Sequence, residues 1–214
     1  MKPVKAWHFS TADKCLRYGD NRIILKGITH RIKWPWTDEN RKVWDGPSLC
    51  NAGLHGSKKI INALQYAPGP YIWRVELSGA MVVGDDKIAA TERKYLWGLD
   101  ATDILRRFAR LCALDVIHLW YAPDIVIRYL KTGDESIRAA ARAAARDAAW
   151  AATGDAARDA AWDAARDAAR DAAGDAARDA AWAAARAAAG AAARAAAGAR
   201  QQNRLTQMII KKAP

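Results

Sequence analysis

The rhythm of apolar and polar positions changes along this chain. The first hundred residues come in short alternating bursts bounded by turn residues, the pattern of strands. Val4–Phe9 predicts a first strand that ends at Ser10-Thr11. Thr11–Arg17 fits a short helix closed by Tyr18-Gly19-Asp20, and Arg22–Ile28 is rich in β-formers. Residues 31–53 carry Trp34, Pro35, Trp36, Trp44, Gly46 and Pro47 and read as a long structured loop. Ser57 is placed to cap a helix from Lys58 to about Tyr66, with Ile60, Ile61 and Leu64 inward, and Pro68-Gly69-Pro70 stops it. Tyr71–Leu77, Ala80–Val83 and Lys87–Trp97 supply further strands around a Gly84-Asp85-Asp86 turn.

After residue 100 the period lengthens to that of helices. Asp103 is placed to cap a helix with an apolar stripe of Ile104, Phe108, Leu111 and Cys112. Val116–Trp120 is a further apolar segment. Pro123 suits the first turn of a helix that runs to Lys131 and ends at Thr132-Gly133, and Asp134 caps the next one. The predicted class is α+β: an α+β domain over 1–98, a helical neck over 99–133, an Ala-rich helical repeat over 134–200 and a tail over 201–214.

The repeat is a four-residue unit, an Arg, Trp or Gly anchor followed by small residues or Asp, running from Arg138 to Gly198. Ala and Arg are strong helix formers. Asp155–Arg158 and Asp163–Arg166 are i,i+3 pairs worth about 0.2–0.5 kcal/mol each, and they also solvate an Ala rod. Four residues advance a helix by about 400°, so the anchor stripe drifts by about 40° per unit. A long or locally broken helix is expected, with short folded hairpins as the alternative, since Gly154 and Gly174 each precede an Asp. Ala faces favour self-association into a homo-oligomer. Trp150, Trp162 and Trp182 are large apolar anchors that need a partner surface, which makes them the oligomerisation candidates.

Composition narrows the classes. The net charge is +11, spread as +7 over 1–130 and +4 over 131–214. Such a balance implies weak, non-specific polyanion binding. Cys15, Cys50 and Cys112 lack metal spacing, as do His30 and His118, so no metal is expected. No apolar stretch follows Met1-Lys2-Pro3, and the Ala tract carries too many charges to cross a membrane; the expected compartment is the cytoplasm.

Several motifs carry a family resemblance. They are Gly53-Leu54-His55, Ala63-Leu64-Gln65-Tyr66-Ala67-Pro68-Gly69-Pro70, Val75-Glu76-Leu77-Ser78-Gly79 and the segment Asp85–Arg93. Together the chain resembles the phage-type DUF7666-like proteins, whose members often continue into short repeats. The resemblance implies a mobile-element origin, a host-cell cytoplasm as compartment and no established activity. The order of elements also resembles small ADP-ribosyltransferases of the rifampin-modifying type, through His8-Phe9-Ser10, Ala63 to Ala67, Val75-Glu76 with Gly79, and Asp85-Asp86. That resemblance implies NAD as cofactor, His8 holding its nicotinamide ribose, and Asp85 or Asp86 stabilising the cationic sugar. Another alignment matches His55-Gly56-Ser57 to a His-Gly-Ser motif with Glu92 as the late carboxylate.

The candidate residues are thus His8, Asp85 and Asp86 for catalysis and His55, Ser57 and Tyr66 for ligand binding. Each has a plainer reading. His8 between Trp7 and Phe9 fits a strand-end core histidine, His55 a loop-bonding one, and Asp85-Asp86 an ordinary hairpin turn. The expected function is a binding and assembly protein directed at host machinery, self-associating and holding a host protein. An NAD-dependent ADP-ribosyltransferase is the alternative, and a basic nucleic-acid binder the second. The Asp residues beside the Arg anchors weigh against the last.

Overall fold

The computed structural model describes residues 2–17, 20, 22–38, 40–151 and 191–214. Its class is α+β. The described chain packs as two compact units, Met1–Thr102 with Met208–Pro214, and Asp103–Gln207.

The first unit is organised by a long hairpin of β6 (Tyr71–Val83) and β7 (Ile88–Asp100). β1 (Val4–Ser10) runs antiparallel along β6, from Val4 opposite Leu77 to Ser10 opposite Tyr71. The far edge of β7 is shared. β2 (Thr29–Arg31) pairs there with Glu92–Lys94, and β5 (Leu54–Gly56) pairs with Ile88–Ala90. Residues expected as two separate strands form one, because β6 continues through an irregularity between Ser78 and Met81. Gly79 sits there at φ 78°, and an added Cβ would overlap the Thr91 hydroxyl. Thr91 Oγ1 accepts from the Ala80 amide at 3.1 Å, so a side chain satisfies the backbone where the ladder is interrupted. Ser57 then exchanges two backbone hydrogen bonds with Trp7, at 2.8 and 2.9 Å. This bridge joins the segment after β5 back to β1, and hydrogen bonding runs in a circuit through β1, β6, β7 and β5.

Inside the circuit Ala6, Val75, Leu77 and Tyr95 are buried against Leu54, and Leu16 and Ile24 reach in from the segment between β1 and β2. That segment is not the short helix its sequence suggests. Asp13 accepts from the Cys15 amide at 3.1 Å, and Lys14 takes φ 56°. Short polar side chains here bond the local backbone in place of a helical turn. Ser57 does not cap a helix either. Its backbone belongs to the bridge, and α1 (Ile60–Leu64) begins after Lys59 without a side-chain cap. The expected loop contains a small ribbon of β3 (Trp36–Thr37) and β4 (Val43–Trp44), held by a Trp44 Nε1–Asp38 hydrogen bond of 3.0 Å.

The second unit is helical. α2 (Thr102–Asp115) starts on Asp100, whose carboxylate accepts from the Thr102 amide at 2.8 Å; Asp103, the expected cap, lies one residue inside. α3 (Asp124–Thr132) ends as expected at Gly133, φ 71°, whose amide bonds the Tyr129 carbonyl at 2.7 Å. Asp134 accepts from the Ser136 amide at 3.0 Å and opens a single 3₁₀ turn before α4 (Arg138–Ala151). On α4 the buried positions are Ala141 and Ala145, packed in one cluster with Val126, Tyr129 and Leu130. Arg142 and Arg146 are exposed. α5 (Ala191–Ile210) repeats the same phase further on, burying Ala197, Gln201, Leu205 and Ile209. Arg204 pairs with Asp115 through two hydrogen bonds of 2.8 and 3.1 Å. Trp162 and Trp182 lie outside the described residues, as does the side chain of Trp150. No described helix is long and apolar enough to cross a membrane.

Candidate functional site

Strand alternation decides which side chains meet. His8 lies opposite Trp73 in the β1–β6 register, and Arg93 lies opposite Leu77 in the β6–β7 register. Arg93 and Tyr95 share a face of β7, being two apart. The guanidinium carbon stands 5.1 Å from the Tyr95 ring centroid, a cation–π distance. From there Nη1 donates to the His55 carbonyl at 2.6 Å and meets His8 Nδ1 at 3.3 Å. An arginine only donates, so His8 Nδ1 is the acceptor and its proton resides on Nε2. Tyr95 is the hub of the aromatic set, edge-on to Trp73 at 5.2 Å, His30 at 5.6 Å and His8 at 6.1 Å.

The charge balance of this cluster is unusual. Arg93 is only 3% exposed, yet it forms no ion pair among the described residues. Arg93 Nε and the Tyr95 hydroxyl are both buried without a hydrogen-bond partner. Burial holds His8 well below the ordinary histidine value, and the charges of Arg93, His55 and Arg17 add to the effect. Burial and then Arg93 lower His55 in the same way. His30, whose Nε2 lies 3.2 Å from the Ile23 carbonyl, is lowered by burial, Arg22 and Arg93. Burial pushes the Tyr95 phenol up, against the pull of Arg93. The cluster is therefore one buried fixed cation among neutral imidazoles.

The other sequence candidates gather elsewhere. The Tyr66 hydroxyl donates to the Asp86 carboxylate, and that bond raises its pKa. Lys87 Nζ stands 4.1 Å from the Tyr66 ring centroid. Asp85 is exposed in the turn and forms no hydrogen bond or ion pair among the described residues. Ser57 is buried at the bridge to Trp7, beside His8 in sequence. Thus His8 and His55 come together through Arg93, while Tyr66 and Asp86 form a second, surface pair. Glu92, the late carboxylate of the other alignment, accepts from Arg31 at 2.9 Å and Ser78 at 3.0 Å. Phe9 lies on the face of β1 opposite to His8 and is buried there. Sequence reasoning singled out neither Arg93 nor Tyr95. The available signal was a charged residue at an inward position of a strand, two before an aromatic.

A comparison with family models matches residues 14–107 to DUF7666, a domain of unknown function. The similarity covers 94 of the chain's 214 residues, somewhat less than half. No curated protein and no solved structure matches the chain. The DUF7666 match includes His30, His55, Arg93 and Tyr95 and stops short of His8 on its N-terminal side. β1, which carries His8 and completes the hydrogen-bonded circuit, precedes the matched DUF7666 segment.

Proposed function

We propose that this chain is a binding and assembly protein. Its α+β domain holds a ligand at the His8–Arg93–His55 cluster, and its Ala-rich helical repeat joins copies of the chain. The observation that carries this reading is the company His8 keeps. The Arg93 guanidinium meets its Nδ1 at 3.3 Å, and beside burial the charged groups that act on it, Arg93, His55 and Arg17, include no carboxylate. ADP-ribosyl transfer develops positive charge on the sugar as nicotinamide leaves, and a fixed cation beside that sugar opposes it. The carboxylate that such chemistry needs is engaged apart from this cluster, Asp86 by Tyr66 and Glu92 by Arg31 and Ser78. The tetrad repeat supports the assembly half, because transfer chemistry has no use for it. The resemblance to phage-type sequences supports a host protein as partner and the host cytoplasm as compartment.

Nicotinamide release from NAD, measured with a cell lysate as acceptor source, separates binding from transfer. The expected result is no release above a protein-free control. Release that disappears in both His8→Ala and Asp86→Asn would place the transferase reading first, with NAD as its cofactor.

A further inference from the structure

Arg93 is a buried cation that lacks its anion. Its Nη1 is occupied by the His55 carbonyl and His8 Nδ1, while Nε is buried and unpartnered and Nη2 makes no hydrogen bond among the described residues. Nε and the terminal nitrogen beside it form the planar fork that receives two oxygens of a carboxylate or phosphate at once. The Tyr95 hydroxyl, fully buried, turns its oxygen toward Arg93 and meets no partner at close hydrogen-bond distance, so its proton is a third donor in the same cluster. His8 is half-buried, and its Nε2, protonated in the tautomer that Arg93 selects, makes no hydrogen bond among the described residues. Arg93 Nε, the Tyr95 hydroxyl and His8 Nε2 each carry a proton that can be donated. An uncompensated guanidinium inside a protein is costly, and an anion on the fork offsets that cost. We infer that Arg93, Tyr95 and His8 form a binding site for an oxyanion, a phosphate or carboxylate group that takes the open Arg93 fork and is approached from the His8 side. The site is the ligand-holding half of the function proposed above, so it rests on that reading.

The test uses the full chain and two probes, inorganic phosphate and acetate, each against sodium chloride of equal ionic strength at pH 7.5. The readout is the thermal midpoint in near-ultraviolet circular dichroism. At 20 mM, an oxyanion with a dissociation constant near 1 mM should raise the midpoint by about 3 °C or more. The larger rise identifies phosphate or carboxylate as the preferred group. Arg93→Met should abolish the rise. Tyr95→Phe keeps the ring and removes only the orphan hydroxyl, so it should fold and bind about tenfold more weakly. That variant carries the test if Arg93→Met does not fold. The inference is overturned if neither probe raises the midpoint, which would assign the orphan donors to buried water, or if Tyr95→Phe retains wild-type affinity within twofold. Failure here leaves particle mass untouched, so the assembly half of the function stands or falls separately.

Discussion

At the scale of single residues, the inner face of β7 departs from the rule that charges stay at the surface. Arg93 holds two backbone-anchored segments by one nitrogen, the His55 carbonyl on β5 and the His8 ring on β1. Burial first, and then the charge of Arg93, hold down the nearby histidines, which gives the fold a defined pH response. His8, His30 and His55 are all held below the ordinary value of about 6.5, burial being the first cause for each. As pH falls, the unfolded chain takes up protons at these residues before the folded chain does. Stability is therefore full above about pH 6.5 and declines as pH drops toward the folded values. The urea midpoint should be lower at pH 5.5 than at pH 7.5. His8→Gln, whose amide oxygen replaces Nδ1 as acceptor, should flatten that dependence. A midpoint unchanged between the two pH values would show that the imidazoles titrate as freely in the fold as outside it.

At the scale of elements, what the sequence discloses depends on how local the cause is. The strands β1, β6 and β7 are legible because their alternation is carried by neighbouring residues, and α3 because Gly133 closes it. The segment after Ser10 is misread as helical because the Asp13 carboxylate, which also accepts from the Thr11 hydroxyl, takes the Cys15 amide. The joining of the cluster around Arg93 is not legible. It forms from the register of β1 on β6 and of β6 on β7, and from the bridge that returns Ser57 to Trp7, none of which leaves a mark in local pattern. The candidate residues His8 and His55 were each visible as isolated histidines; the arginine that joins them was not. Two substitutions test the elements themselves. Gly79→Ala meets both a left-handed backbone and the Thr91 hydroxyl, and should cost about 2 kcal/mol in chemical denaturation. Ala145→Leu, on the buried stripe of α4, should cost about 1–3 kcal/mol by overpacking, whereas the exposed Arg142→Ala should stay within about 0.5 kcal/mol. Equal losses for Ala145→Leu and Arg142→Ala would mean that the tetrad has no buried face.

At the scale of the whole molecule, the assembly proposed above rests on the phase of the tetrad repeat. Ala141, Ala145 and Ala197, each the residue before an anchor, are buried, whereas the anchors Arg142 and Arg146 are exposed. Trp150, Trp162 and Trp182 share the sequence phase of those outward anchors. A tryptophan in a phase that elsewhere carries arginine calls for an apolar partner, and a second copy of the same periodic helix supplies one of matching period. The chain's +11 net charge works against such self-association, so the apolar contacts must exceed the repulsion. This sets the sign of the salt dependence. Screening weakens the repulsion between copies and leaves Trp and Ala contacts in place. Particle mass from light scattering should therefore exceed that of one chain and hold or rise between 50 and 500 mM salt, the conditions chosen for the measurement. Replacing Trp150, Trp162 and Trp182 together by Ala keeps helix propensity high. It should reduce the mass toward a single chain without loss of helical circular dichroism. A mass equal to one chain in the unaltered protein, or an unchanged assembly in the triple variant, removes the tryptophan anchors from the assembly and with them the reason for proposing it.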